Sequence, residues 1–119
     1  MACLWGLRAA IQFANQIGVD RIERRHRQLA DYILGEMLKR GAESWTSHDP
    51  ALRCAIATVN VPPIQRMDVE AWMWKKHKIR IRGTEPSKLR LCMAYYVQRR
   101  EIDQFLERFD QYKKEKQIA

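Results

Sequence analysis

Five cations alternate with apolar residues over positions 78–93, in the stretch KIRIRGTEPSKLRLCM. Folded as two strands around the Gly/Pro loop, it would place Ile79, Ile81, Leu89, Leu91 and Met93 on one face. Lys78, Arg80, Arg82, Lys88 and Arg90 would fall on the other. Like charges set opposite each other destabilise a strand pair. A face this basic is therefore either bathed in solvent or turned toward an anion. Arginine suits the second case, because its planar guanidinium grips a carboxylate or phosphate through two parallel hydrogen bonds.

Other chemistry is poorly supplied. There is no GxSxG, HExxH, Walker-type GxxxxGK or GxGxxG. Cys3, Cys54 and Cys92 are far apart with no CxxC, and His26, His48 and His77 form no HxxxH pair, which excludes the usual zinc spacings. Three scattered cysteines fit reduced thiols and a cytoplasmic setting. Neither a secretory leader nor an apolar run of membrane-spanning length is expected. Lys75–Lys76–His77–Lys78 reads as a solvated junction. The aromatic residues do not alternate with basic ones along a strand face, so a base-stacking platform is not indicated.

The chain of 119 residues is 46% hydrophobic and 30% charged, the composition of one ordinary globular domain. Its net charge of +8 is uneven: residues 1–60 carry eight Lys/Arg against six Asp/Glu (+2), and residues 61–119 carry fourteen against eight (+6). The anion-attracting surface, and with it any nucleic acid, phosphorylated cofactor or acidic partner, belongs to the second half.

Several elements must position the cationic pair. Residues 2–17 have the spacing of a helix with two apolar stripes, one through Leu4, Leu7, Ile11 and Ala14, the other through Gly6, Ala10, Phe13 and Ile17. Such a helix is expected between two surfaces, which a domain this small rarely offers. Gly18 should stop it. Asp20 is then the expected N-cap of a helix to Arg40, with Glu23 completing a capping box. Its apolar stripe runs through Ile22, His26, Leu29, Ile33 and Met37, with Ala30, Leu34 and Leu38 alongside, and His26 reads as a packing residue. Gly41 is the expected stop. Residues 43–47 suggest a short edge strand, and 53–61 a strand covered on both faces, ended by Pro62 and Pro63. A short helix follows to about Lys76, with Val69, Trp72 and Met73 inward. After the cationic hairpin, Ile102, Phe105, Leu106, Phe109 and Tyr112 define a helix over 99–115. The expected fold is α+β: a small, largely antiparallel sheet with helices mostly on one face, preceded by two N-terminal helices.

These segments carry a resemblance. ALRCAIATVNVPP, VEAWMWKKHKIRIRG and KLRLCMAYYVQRREIDQFLERF are similar to the C-terminal small domain of class V aminotransferases, fold-type I enzymes dependent on pyridoxal phosphate. The family pattern has an I-x-V/I-R strand, a loop, an L-R-x-S strand, then Y-N-T and E-E-I-D. Here these positions hold Ile79–Arg82, Leu89–Cys92, Tyr96–Gln98 and Arg100–Asp103. The upstream LRAAIQFANQIGVDRIERRHRQLADYI resembles the family's two preceding helices. The resemblance implies one domain over 1–119, with 1–17 a linker-type helix and 18–119 the α+β body. It implies that Arg90 binds the α-carboxylate of an amino-acid substrate and that Arg82 lies near the same site. Cysteine desulfurases in the family carry a reactive Cys between the two arginine strands. Gly83–Lys88 has none, which resembles isopenicillin-N epimerase-like members more closely. Cys92 takes the family's Ser position and reads as structural, while Val97 and Gln98 depart from Y-N-T.

In this family a large N-terminal domain supplies the cofactor lysine, the aspartate at the pyridine nitrogen and the phosphate loop. None of these is expected here, so pyridoxal phosphate is implied for the parent family and no cofactor, catalytic residue or metal for this chain alone. The sequence therefore leads to a detached or truncated small domain, not catalytic in isolation. Its partner would be a second copy, most simply a dimer through residues 4–17, or a separate large-domain chain. A basic anion- or nucleic-acid-binding module reusing this scaffold is the alternative.

Overall fold

The computed structural model describes residues 1–118. Helices α1 (Ala2–Ile17) and α2 (Val19–Lys39) precede β1 (Glu43–Ser44) and β2 (Ile56–Asn60). Helix α3 (Arg66–His77), strands β3 (Arg82–Thr84) and β4 (Lys88–Cys92), and helix α4 (Arg99–Glu115) complete the order. The sheet runs β1-β2-β4-β3 with every pairing antiparallel, so β4 lies between the parallel strands β2 and β3. The α+β expectation holds.

Period-2 burial divides the sheet into two faces. Ala57, Val59, Leu89 and Leu91 are buried under the helices, while Thr58, Arg90 and Cys92 point the other way. This corrects the expectation that residues 53–61 are covered on both sides. β2 alternates, with Ile56, Thr58 and Asn60 only half-buried, because the helices pack on one face. Leu29, Ile33, Leu34 and Met37 of α2 meet Ile102, Phe105, Leu106, Phe109 and Tyr112 of α4 in one core, with Val69 and Met73 of α3. All five expected α4 positions are buried. Leu38 is not: it stands exposed beside the stripe it was expected to join.

The junctions explain two further differences. Gly18, at φ 99°, donates its N–H to Ala14 O and accepts from the N–H groups of Arg21 and Ile22. It therefore ends α1 and caps α2, displacing Asp20 from the N-cap. Asp20 lies in the first turn, where its charge suits the helix dipole, and Glu23 pairs with Arg27 at 2.6 Å. At the other end of α2, Ala42 N–H reaches Met37 O and Gly41 N–H reaches Leu38 O, a Schellman closure through the positive φ of Gly41.

α1 differs from the other helices. None of its residues is buried; Leu4, Trp5, Leu7, Ile11 and Phe13 are all exposed, and its main neighbour is α2.

Candidate carboxylate-binding site

The cationic hairpin forms, with its first strand shifted. Lys78 takes a left-handed conformation (φ 59°) that closes α3, and Ile79 N–H donates to Met73 O. The chain thus leaves α3 through residues 78–79, and pairing with β4 begins only at Arg82. The strand expected from 78 to 82 is Arg82–Thr84.

The hairpin is tied tightly at its turn. A Cβ on Gly83 would lie 1.8 Å from Lys88 O, so only glycine permits this approach. Arg66 N–H donates to Pro86 O at 2.9 Å, and the Arg66 guanidinium binds Glu70 at 3.0 Å and Glu85 at 2.5 Å. Those carboxylates, Glu85 foremost, hold Arg66 above the ordinary arginine range. Ser87 is buried and donates its hydroxyl to Asn60 Oδ1 at 2.7 Å.

At the open end, Arg82 and Arg90 are directly opposed partners in the β3–β4 ladder, and Thr58 of β2 faces Arg90 on its other side. Thr58, Arg90 and Arg82 therefore form one row across the uncovered face. Both arginine side chains are in exposed residues, and among the described residues neither makes a salt bridge, a side-chain hydrogen bond or an aromatic contact.

The other three cations are engaged. Arg80 lies 4.6 Å and Lys78 5.5 Å from the Trp74 ring centroid, and Lys88 lies 3.8 Å from that of Trp45. These cation–π contacts cover indole surface. They divide the five cations into three that pack on indole rings and two that stand open.

Where the ladder stops, a cavity of about 310 Å³ opens between segment 79–82 and the end of β4. Arg82 and Arg90 line it together with Arg80, Glu101 and apolar side chains, and no lysine does. Cys92 lines it too. The thiol is exposed beside Arg90, not packed into the core. Cys3 and Cys54 are also free and exposed. His26 is half-buried with its ring 6.0 Å from that of Tyr95, the packing role expected of it. Among the described residues no group of three His, Cys, Asp or Glu could hold a metal ion. No helix among the described residues is long and apolar enough to cross a membrane.

The sequence pattern marked Arg82 and Arg90. It missed Arg66, whose partners lie on α3 and in the turn, and Trp45, which is distant in sequence from Lys88. Trp74, placed one helical turn before Lys78, was the legible signal.

The class-V aminotransferase family model matches residues 1–105. The chain belongs to that family. A probable cysteine desulfurase of Halalkalibacterium halodurans is 36% identical over 64 residues, which is 54% of this chain and 15% of that protein. The apo structure of cysteine desulfurase from Thermococcus onnurineus NA1 superposes with a TM-score of 0.81 at 21% identity, over 90% of this chain and 30% of that one. A C-DES mutant with glycine covalently linked to its PLP cofactor gives a TM-score of 0.73 at 19% identity, over 87% of this chain and 27% of that one. The class-V chain described here thus spans less than a third of the length of these relatives. Two of the three are named cysteine desulfurases; the epimerase-like branch suggested by the loop is not among them.

Pyridoxal phosphate is the cofactor of the parent family, and no lysine among the described residues lines the cleft of Arg82 and Arg90. The cofactor calls for a lysine held beside the substrate site. Lys39, Lys75, Lys76, Lys78, Lys114 and Lys116 are exposed, Lys88 covers Trp45, and Lys113 donates to Arg40 O at 3.1 Å. None of them reaches the cleft of Arg82 and Arg90.

Proposed function

We propose that this chain is the substrate-carboxylate-binding small domain of a class-V, pyridoxal-phosphate-dependent enzyme of amino acids, with Arg90 and Arg82 as the grip. The observation that supports it most is the directly opposed, unengaged arginine pair. Two guanidiniums side by side on one sheet face repel each other and lower their repulsion when a carboxylate bridges them. Arg90 takes the bidentate contact in this reading, and Arg82 supplies the second charge. The cofactor belongs to a large domain, so the chain alone is a binding unit and not a catalyst. The three-residue turn between β3 and β4, Glu85–Pro86–Ser87, has no thiol. A desulfurase-type sulfur transfer from that loop is therefore outside this reading, which favours transamination, epimerisation or elimination.

The bare apolar surface of α1 is where the chain associates. Alone it pairs with a second copy, since an apolar patch of this extent is costly to leave in water; with a large-domain chain present it packs there instead. Light scattering of the isolated chain should give a dimer that becomes monomeric on Leu7→Ser with Ile11→Ser. A wild-type monomer at high micromolar concentration contradicts the association.

The grip is tested by titrating acetate or glycine into the chain while following the arginine Nε–H resonances. Arg82 and Arg90 should shift in a saturable way, and the response should vanish in Arg90→Gln. Shifts spread over all basic residues without saturation would reject it. Incubation with pyridoxal phosphate followed by borohydride reduction should leave no single lysine stoichiometrically modified.

A further inference from the structure

The arginine pair accounts for a ligand's carboxylate and leaves the space beneath it unassigned. That space has a structural cause. The β3–β4 ladder ends at Arg82 and Arg90, while segment 79–81 stays outside the ladder because Lys78 and Ile79 are still closing α3. The resulting cleft of about 310 Å³ has walls of Ile79, Ile81, Leu91, Met93 and Val97, and it reaches Phe105 of α4. This volume is at the lower end of the range of small-molecule sites, and an apolar lining with a few convergent polar groups is their usual make-up. The charged residues on its lining are Arg80, Arg82, Arg90 and Glu101. Arg80 is stacked on Trp74, and Glu101 accepts the Gln98 N–H at 2.7 Å. The unengaged charge is that of Arg82 and Arg90 alone.

We infer that the cleft is an apolar subsite, and that this chain by itself binds carboxylates carrying an extended apolar body, with the head on Arg82 and Arg90 and the body against Leu91, Met93 and Phe105. The inference rests on the carboxylate reading above and adds the ligand class: an aliphatic or aromatic carboxylate of roughly eight carbons, in preference to one or two carbons. Each methylene buried in such a cleft raises affinity about fourfold. Burying two or three of the six methylenes that distinguish octanoate from acetate therefore gives more than a tenfold preference.

The test is a parallel titration of the chain with acetate, octanoate and 1-octanol, below micelle-forming concentrations, followed by heteronuclear NMR. Octanoate should bind at least about tenfold more tightly than acetate and shift Leu91, Met93 and Phe105 together with the arginines. The alcohol, lacking the charge, should bind at least about tenfold more weakly than octanoate. Arg90→Gln should abolish the preference for octanoate over octanol, and Val97→Trp, which fills the cleft, should bring octanoate down toward acetate. If acetate shifts Arg82 and Arg90 and octanoate binds no more tightly, the apolar subsite is wrong and the carboxylate grip stands. If neither carboxylate binds, the grip itself fails and the subsite with it. If octanol matches octanoate, the cleft is a general apolar site and the proposed ligand class is overturned.

Discussion

The two ends of the β3–β4 hairpin treat charge in opposite ways. At the turn, Arg66 is held by Glu70 and Glu85, Ser87 is buried against Asn60, and Gly83 lets the strands close to a distance no side chain allows. At the open end, Arg82 faces Arg90 across the ladder, and among the described residues neither is in a salt bridge. A charge that serves the fold has a partner within the chain. A pair of like charges opposed without one works against the fold, and the proposed carboxylate ligand would supply the missing partner.

Substitutions at each end separate the two roles. The largest effect belongs to the turn. Gly83→Ala forces a Cβ into the Lys88 carbonyl and should destabilise by about 3 kcal/mol, read as a shift of the urea midpoint. Arg66→Ala comes next. It frees both Glu70 and Glu85, leaves the Arg66 N–H to Pro86 O bond as the remaining tie between α3 and the turn, and should lower the thermal midpoint clearly while carboxylate binding, measured below the transition, persists. Ser87→Ala leaves Asn60 Oδ1 without its donor and should cost about 1 kcal/mol by the same unfolding assay. If Gly83→Ala or Ser87→Ala proved neutral, the turn would not be the tightly built end.

Acid sharpens the contrast from outside the hairpin. Glu115 accepts from Lys76 Nζ at 2.7 Å and from the Trp72 indole at 3.0 Å, tying α3 to α4. Lys76 first, and then Trp72, hold its carboxyl below the ordinary glutamate range. A carboxyl lowered in the folded state contributes stability at neutral pH that is lost as the pH falls through that lowered value. Glu115→Gln should flatten this acid limb in a pH series of thermal melts, and Arg90→Gln should leave it in place.

Much of this was legible in the sequence. Helix α4 follows from its spacing of three and four because all its apolar positions meet one core. α2 misplaced its cap because Gly18 can end one helix and begin the next in a single residue, which a capping-box pattern at Asp20 and Glu23 does not reveal. β2 carried too many apolar residues to disclose an uncovered face; only the placement of all helices on one side shows it. Arg82 and Arg90 were marked by alternation and by family pattern together. Their isolation from the other three cations was only partly so, since Trp74 lies one helical turn before Lys78 but Trp45 arrives from elsewhere in the fold. The cleft beneath them arises from Lys78 closing α3 in a left-handed conformation, and a run that alternates as cleanly as KIRIR reads as unbroken strand.

The central claim is that Arg82 and Arg90 are kept for a ligand and not for the fold. The most direct measurement is a pair of readings on Arg90→Gln: its thermal unfolding without ligand and its affinity for a carboxylate. The account predicts that carboxylate binding is lost while stability is unchanged or rises by about 0.5 kcal/mol, as a like-charge opposition is removed. A fall in stability as large as that of Arg66→Ala, with carboxylate binding retained, would contradict it.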